Sequence, residues 1–335
     1  MVWNWPLWRW RQTVAERVAR RLLLYMVVAG VAWLAWSVSA GAGYRPTVDP
    51  PSSIETWVSG VAPRTPPQAG GVPPPVRRVP DIPAPRVRAH AAIVLDPVTG
   101  ETLWERNSRE LRPIASITKV MTVMLFLESQ PDLSREVVIS RQVVRRASTT
   151  YLRRGERVSV RDLVHLALVA SDNAAARALA RVSPWGTKRF VTRMNARAAE
   201  LGLHQTRFNE PSGLSESNMS TAYEVSRLIA EASERPQVSE VMRKRSYRIH
   251  TSRRSRTIRS TNRLLGTPVD VIAGKTGYID EAGYCLATLV QLDDDRAVSV
   301  VVLGARSNLG RFAEARRLVD WLSTQASVLL TSAAE

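Results

Sequence analysis

The chain has 335 residues, of which 44% are hydrophobic and 23% are charged, close to the average for soluble proteins. This composition excludes a wholly disordered, a collagen-like and a multi-pass membrane protein. The single cysteine, Cys285, excludes an intrachain disulfide and a cysteine-cluster metal site. The net charge of +17 favours an anionic partner such as lipid head groups, nucleic acid or an acidic polymer.

The first 44 residues have the pattern of a membrane anchor. Residues 22–44 contain no charged side chain, and a helix needs ~20 apolar residues to cross the ~30 Å hydrocarbon layer. Residues 1–21 form a basic segment that the positive-inside rule places in the cytoplasm. We therefore expect a signal anchor in the inner membrane with the rest of the chain in the periplasm. Small residues at 38–42 leave cleavage of this segment, and a freely periplasmic protein, open.

Residues 45–88 hold 12 of the 20 prolines of the chain. Proline opposes both helices and sheet ladders, so this segment is predicted to be an extended linker. Residues 89–328 carry regular hydrophobic patterns and are predicted to form one globular domain.

The patterns in this domain predict an α+β fold, with helices packed on an antiparallel sheet. A hairpin is expected from Ala91–Leu95 and 102–104, and three further strands from 269–276, 283–292 and 297–303, with a turn at 293–295. Helices are expected at 116–127, 160–169, 174–182, 189–201, 221–232 and 311–323.

The first chemical motif is Ser116-Ile117-Thr118-Lys119. Positions i and i+3 share one face of a helix, so the serine hydroxyl and the lysine amine are expected to be neighbours. Ser116 would lie in the first turn, where the helix dipole favours an alkoxide. A partly buried lysine can then act as the base that activates a serine nucleophile. The structural alternative is a serine N-cap followed by a surface lysine.

The second motif is Ser171-Asp172-Asn173, between two predicted helices. Asn173 offers both a donor and an acceptor to a peptide-like substrate, and Ser171 could relay a proton between the lysine and the leaving nitrogen. Asp172 is expected to cap the following helix. Capping alone could also explain all three residues.

The third motif is Lys275-Thr276-Gly277, at the end of a predicted strand. Lys275 and Thr276 can hold a carboxylate through charge and hydroxyl. Gly277 is expected to leave room for a substrate strand to approach the backbone. The alternative is a strand that simply runs into a turn.

The three motifs are far more specific together than apart. The second follows the first by 55 residues, and the third follows after another 104, in the order found in penicillin-binding proteins and class A β-lactamases. From about residue 91 to 322, the chain resembles the low-molecular-mass penicillin-binding proteins, the serine D-Ala-D-Ala peptidases of family S11. The segment Glu210-Pro211-Ser212-Gly213-Leu214-Ser215 is most similar to the D,D-endopeptidase branch.

This resemblance implies a β-lactamase/transpeptidase-like fold with a helical subdomain, and makes residues 89–328 the catalytic domain. It also implies one role for each motif residue: Ser116 as nucleophile, Lys119 as general base, Ser171 as proton shuttle, and Asn173, Lys275, Thr276 and Gly277 in substrate binding. Backbone N–H groups of Ser116 and Tyr278 would form the oxyanion hole. Neither a cofactor nor a metal ion is implied.

The expected function is that of a D-alanyl-D-alanine endopeptidase, which cleaves cross-links between peptidoglycan stem peptides and is trapped by β-lactams as an acyl-enzyme. One alternative is a D,D-carboxypeptidase that removes terminal D-Ala. A second is a β-lactamase, in which the Glu210 carboxylate would activate the deacylating water. A third is a wall-binding scaffold without turnover.

The stretch from Arg243 to Arg259 contains eight basic residues and no acidic one. A nucleic-acid patch is one interpretation, but export from the cytoplasm argues against nucleic acid as a partner. A solvated face, or contact with an anionic wall polymer or lipid, is expected instead. His165 is predicted to be a satisfied core residue, and Cys285 a small buried hydrophobe.

Overall fold

A computed structural model describes residues 83–292 and 296–332 of the chain. The predicted cytoplasmic segment, the membrane anchor, most of the linker and the turn at 293–295 lie outside these residues. Within the part of the chain that is described, no helix combines the length and the apolar character needed to span a membrane.

A five-stranded antiparallel sheet forms the centre of the domain. Its strands are β1 (Ala91–Leu95), β2 (Thr102–Arg106), β9 (Asp270–Ile279), β10 (Gly283–Gln291) and β11 (Ala297–Ala305). They lie in the order β2-β1-β11-β10-β9. All five were predicted. β9 continues three residues beyond its predicted end, so the third motif lies inside a strand rather than at its end.

Three small two-stranded antiparallel sheets surround this centre, and the sequence patterns did not predict them. They are β3 (Arg112–Pro113) with β6 (Met219–Ser220), β4 (Glu136–Val138) with β5 (Arg157–Ser159), and β7 (Ser246–His250) with β8 (Ser255–Arg259). Most of these strands are too short to show an alternating pattern.

The helices follow the predicted order, with two short ones added. They are α1 (Thr118–Glu128), α2 (Arg141–Val144), α3 (Val160–Leu168), α4 (Asn173–Val182), α5 (Gly186–Glu200), α6 (Ala222–Ser233), α7 (Pro236–Met242) and α8 (Asn308–Ser332). The short helices α2 and α7 were not predicted. The last helix was expected to end at Ser323, but it extends to Ser332.

Both faces of the central sheet are covered by helices. On one face, Ile93 and Val301 join the larger apolar cluster, which contains α1 and the helices α3 to α6. On the other face, Val94 and Val302 pack with residues of α8 such as Phe312. Because neighbouring residues of a strand point to opposite faces, one β-strand serves both clusters. The predicted α+β architecture with a helical subdomain is confirmed.

Candidate active site

Ser116 lies in a single 3₁₀ turn, Ala115–Ile117, immediately before α1. The sequence pattern placed it in the first turn of an α-helix, and this detail was wrong. Its side chain does not cap α1 either, because the N-cap position is Ile117 and carries no side-chain cap bond. Ala115 has φ of 46°, a left-handed conformation that is uncommon for residues other than glycine. Ser116 is half-buried, so its hydroxyl remains reachable.

Two glycines allow other segments to pack tightly against this serine turn. A Cβ at Gly213 would lie 2.0 Å from the carbonyl oxygen of Ala115, and one at Gly277 would lie 2.8 Å from that of Ile114. We expected Gly277 to leave room for a substrate strand. The space beside its Cα is instead occupied by the serine turn, so the glycine lets β9 pass close to the nucleophile.

Lys119 projects from the first turn of α1 and is completely buried. Its Nζ donates hydrogen bonds to Ser116 Oγ at 2.8 Å, to Asn173 Oδ1 at 2.6 Å and to the Ser212 carbonyl oxygen. Burial lowers the pKa of Lys119 to about 7, although the carboxylates of Glu210 and Asp172 oppose this shift. A large fraction of the amine is therefore neutral near pH 7, where it can accept the serine proton.

The second motif lies between α3 and α4, as predicted. Ser171 has a left-handed φ of 58°, a conformation that costs ~1–3 kcal/mol and often marks a functional position. The N-cap of α4 is Asp172, which accepts hydrogen bonds from the backbone N–H groups of Ala175 at 2.9 Å and Tyr151 at 2.6 Å. Its predicted capping role is confirmed.

Asn173 is 4% exposed, and its amide is bonded on both sides. Oδ1 accepts from Lys119, and Nδ2 donates to the Ala147 carbonyl oxygen at 2.7 Å. In this structure the side chain therefore holds the lysine amine in place beside Ser116. The predicted contact of Asn173 with a substrate amide stays a prediction.

Lys275, on β9, is a second buried lysine. Its Nζ donates to Ser171 Oγ at 2.7 Å and to the Thr276 carbonyl oxygen at 2.8 Å. Burial first, and the nearby charges of Lys119 and Arg311 second, lower the pKa of Lys275 well below its usual value. Ser171 thus bonds Lys275 rather than Lys119. The third and second motifs meet directly, although 104 residues separate them.

Thr276 and Tyr278 flank Gly277 on the same strand. The hydroxyl of Thr276 lies 2.6 Å from that of Thr261, which follows β8. The Tyr278 side chain is 46% exposed and stacks on Tyr284 with 4.3 Å between ring centroids. Its hydroxyl donates to Asp280 at 2.6 Å, and this carboxylate raises the pKa of Tyr278 to about 12.

Arg311 is a residue near the site that sequence reasoning missed. Only 5% of its surface is exposed, and its Nη1 donates to the carbonyl oxygens of Gly277 at 2.8 Å and Cys285 at 3.2 Å. Burial lowers its pKa to about 10. The sequence did contain an indication that Arg311 is buried. It shares the apolar face of α8 with Ala315 and Leu318, where an arginine is unusual.

The carboxylate of Glu210 is hydrogen-bonded by backbone groups of its own loop. Its carboxylate accepts the backbone N–H groups of Ser212 at 2.8 Å, Leu214 at 2.8 Å and Gly213, and also the Asn218 amide at 3.2 Å. A base that activates water needs a free lone pair aimed at that water. The loop contacts therefore argue against a β-lactamase, in which this carboxylate would drive deacylation.

Comparison with known proteins identifies the family. The family model of peptidase S11, described as D-alanyl-D-alanine carboxypeptidase, matches residues 79–307. The chain belongs to peptidase family S11. The family assigned from the three motifs is confirmed, and with it the serine D-Ala-D-Ala peptidase class of enzyme.

Curated relatives within this family include endopeptidases. A D-alanyl-D-alanine endopeptidase of Pseudomonas aeruginosa is 36% identical over 250 residues, covering 73% of this chain and 80% of the relative. One of Escherichia coli is 33% identical over 245 residues, covering 72% and 79%.

Solved structures share the fold. The Streptomyces K15 DD-transpeptidase has a TM-score of 0.66 at 27% identity, covering 72% of this chain and 98% of that one. Penicillin-binding protein D2 from Listeria monocytogenes, in its cefotaxime-bound form, has a TM-score of 0.64 at 30% identity, covering 71% and 98%. The predicted β-lactamase/transpeptidase-like fold is confirmed. The roles assigned to individual site residues stay predictions.

Proposed function

We propose that this protein is a D-alanyl-D-alanine endopeptidase that cleaves peptidoglycan cross-links through an acyl-enzyme on Ser116. The observation that carries the proposal is the buried amine of Lys119, 2.8 Å from Ser116 Oγ with a pKa of about 7, in a member of the S11 family. The endopeptidase assignment is supported by relatives of that name in P. aeruginosa and E. coli.

The first chemical step is acylation. Neutral Lys119 takes the proton of Ser116, and the serine oxygen attacks the D-Ala carbonyl carbon to form a tetrahedral oxyanion. Backbone N–H groups of Ser116 and Tyr278 stabilise this oxyanion. The C–N bond then breaks, and the leaving amine receives a proton through Ser171. The proton that Lys119 took from Ser116 is thereby passed on, and Lys275, which bonds the Ser171 hydroxyl at 2.7 Å, holds that hydroxyl in place.

Deacylation reverses these roles. A water molecule gives a proton to the base and attacks the ester carbonyl. The base returns that proton to the serine oxygen as the ester C–O bond breaks, and a stem peptide ending in D-Ala is released. A β-lactam would acylate Ser116 in the same way. Its ring opens, and the amine that leaves the carbonyl stays covalently attached to the rest of the acyl group. The cefotaxime-bound neighbour from L. monocytogenes supports this expectation.

The test is intact-mass analysis of the purified full chain in detergent, incubated with penicillin beside Ser116→Ala. The wild type is expected to gain the mass of one β-lactam, and the variant is not. Digestion of muropeptides by the same two proteins should convert cross-linked dimers to monomers with the wild type only. An adduct of equal yield on Ser116→Ala would overturn the serine mechanism.

A D,D-carboxypeptidase is the second candidate, because other relatives carry that name. One of them, from Bacillus subtilis, is 30% identical over 244 residues, covering 71% of this chain and 62% of the relative. Release of terminal D-Ala without conversion of dimers would support this candidate. A stable adduct with neither activity would support a wall-binding scaffold, and rapid hydrolysis of penicillin would support a β-lactamase.

We also propose that residues 22–44 anchor the enzyme in the inner membrane with its catalytic domain in the periplasm. The uncharged stretch and the preceding arginines support this orientation. The mass of the chain purified from membranes tests it. An intact N-terminus in the membrane fraction is expected, whereas a shortened, soluble chain would show that the segment is cleaved.

A further inference from the structure

The hairpin β7–β8 with its flanks, residues 243–259, forms a strongly basic surface, here called the arginine hairpin. It contains eight arginine and lysine residues and no acidic residue. Within the described residues, the ion pair between Arg254 and Glu156, at 3.4 Å, is the one that this segment forms. The remaining cations therefore keep their charge available to a partner.

The two faces of the hairpin differ in their surroundings: one packs against α3 and the other is exposed to solvent. Tyr247 and Ile258, which are paired in register, belong to the inner face, where Tyr247 stacks on His165 of α3 with ring centroids 3.6 Å apart. The outer face carries the exposed side chains of Arg248 and Arg259. These inner-face contacts do not involve Arg248 or Arg259, so substituting those two arginines removes none of them.

The hairpin is fastened to the catalytic cleft at two points. After β8, the backbone N–H of Thr261 donates to the Val169 carbonyl oxygen at 3.1 Å, and its hydroxyl contacts Thr276. At the other end, Arg254 donates to the Tyr151 carbonyl oxygen at 2.8 Å. Arg256 lies over the ring of that tyrosine, 4.8 Å from its centroid.

These fastening points place the hairpin at one particular end of the cleft. Tyr151 is bonded to Asp172, the neighbour of Ser171, and Thr276 is the neighbour of Lys275. In the proposed mechanism Ser171 delivers the proton to the leaving amine. The arginine hairpin therefore adjoins the side from which the leaving group departs.

We propose that the arginine hairpin binds the carboxylates of the leaving stem peptide in cross-linked peptidoglycan. The inference rests on the proposed endopeptidase function and specifies its substrate. A leaving D-alanine is a single residue of ~3.5 Å and stays inside the cleft. A leaving stem peptide extends beyond the cleft and brings free carboxylates, which arginine binds well. The hairpin thus favours dimers over terminal D-Ala.

The test compares the full chain in detergent with the triple variant Arg248→Gln, Arg253→Gln, Arg259→Gln, which leaves the Arg254 and Arg256 contacts with Tyr151 in place. A matched control removes three charges from the exposed surface of α5, with Lys188→Gln, Arg189→Gln, Arg193→Gln. Three substrates are used: a cross-linked muropeptide dimer, a pentapeptide monomer and penicillin. Each exposed charge pair contributes a factor of ~1.4 to 5, so the loss of three pairs should lower kcat/KM on the dimer about 3- to 125-fold in the hairpin variant only.

Penicillin acylation and monomer cleavage should stay within about twofold of wild type in both variants. Raising the salt concentration from 0.05 to 0.5 M should slow dimer cleavage by the wild type more than by the hairpin variant, because exposed pairs are screened. An equal loss on all three substrates, or unchanged dimer cleavage, would overturn the proposal.

Two further outcomes separate this inference from other possibilities. If the wild type cleaves no dimer while penicillin still acylates it, the endopeptidase function fails and this inference with it. If dimer kinetics are unchanged but the hairpin variant loses retention on anionic lipid vesicles or on phosphate-rich wall polymer, the surface is an anchoring site for those polyanions and the substrate proposal is wrong.

Discussion

The catalytic cleft and the arginine hairpin are both rich in cations, but the cations are buried in the cleft and exposed on the hairpin. In the cleft, Lys119 and Lys275 are at most 1% exposed, and burial lowers the pKa of both. On the hairpin, residues such as Arg248 and Arg259 project into solvent. The two regions meet at Thr261 and Thr276.

This contrast explains the choice of residue in a chain with four lysines and 43 arginines. Lysine can lose its proton when buried, whereas arginine stays charged under nearly all conditions. The cleft needs a base that exchanges protons, and two of the four lysines lie there. The hairpin needs a fixed positive field, and seven of its eight cations are arginines.

The strongest test of this contrast is the same substitution at a buried and an exposed lysine. Lys119→Ala removes the amine beside Ser116 and should slow penicillin acylation about 10²- to 10⁴-fold, the contribution of a well-placed general base. Lys188→Ala, on the exposed surface of α5, should leave the rate unchanged. Stopped-flow or intact-mass kinetics provide the measurement.

Circular dichroism and the melting temperature of both variants report whether the fold survives. A folded Lys119→Ala protein that still acylates within tenfold of the wild-type rate would show that another group acts as base, with Lys275 the first candidate because it bonds Ser171.

The next test addresses the packing that buries Lys119. Gly213 follows Ser212, whose carbonyl accepts from Lys119, and it has φ of +81° with no room for a Cβ. Gly213→Ala should therefore displace the serine turn and slow acylation about 100-fold, since a shift of ~1 Å in a reacting group can have that effect.

Gly100→Ala is the matched control for this prediction. Gly100 also has a positive φ, +75°, but a Cβ there would meet nothing within 4 Å. It should lose ~1 kcal/mol of stability through backbone strain and keep its acylation rate. If both variants acylated equally fast, the close contact between Gly213 and Ala115 would have no role in placing the nucleophile.

Sequence patterns predicted the central strands and long helices because their apolar runs are long enough to show a period. The motif residues were predicted by their order and spacing, and the fold brings Ser171 and Lys275 within 2.7 Å. Cys285 and His165 were also assigned correctly: both are buried, and His165 Nδ1 donates to the Arg161 carbonyl oxygen at 2.8 Å.

The features that sequence did not predict all depend on tertiary contacts. The hairpin β7–β8 was missed because exposed arginines conceal its alternation and only Ile249 and Ile258 are fully buried in it. The purpose of Gly277 could not be predicted because the serine turn that fills its space lies about 160 residues away. The contact of Arg311 with Gly277 likewise joins two elements, with the residues 34 positions apart in the sequence.

The smallest expected effect concerns the pH dependence of acylation. Because only neutral Lys119 can accept the serine proton, the rate should rise about tenfold per pH unit below about 7 and level off above it. The positive charge of Arg177 lowers the pKa of Lys119, so Arg177→Gln should move the midpoint to higher pH. Lys188→Gln, on the exposed surface of α5, should leave it in place because solvent and salt screen its charge. If the rate instead fell with rising pH through 7, the base would not be a neutral amine, and another group would have to take the serine proton.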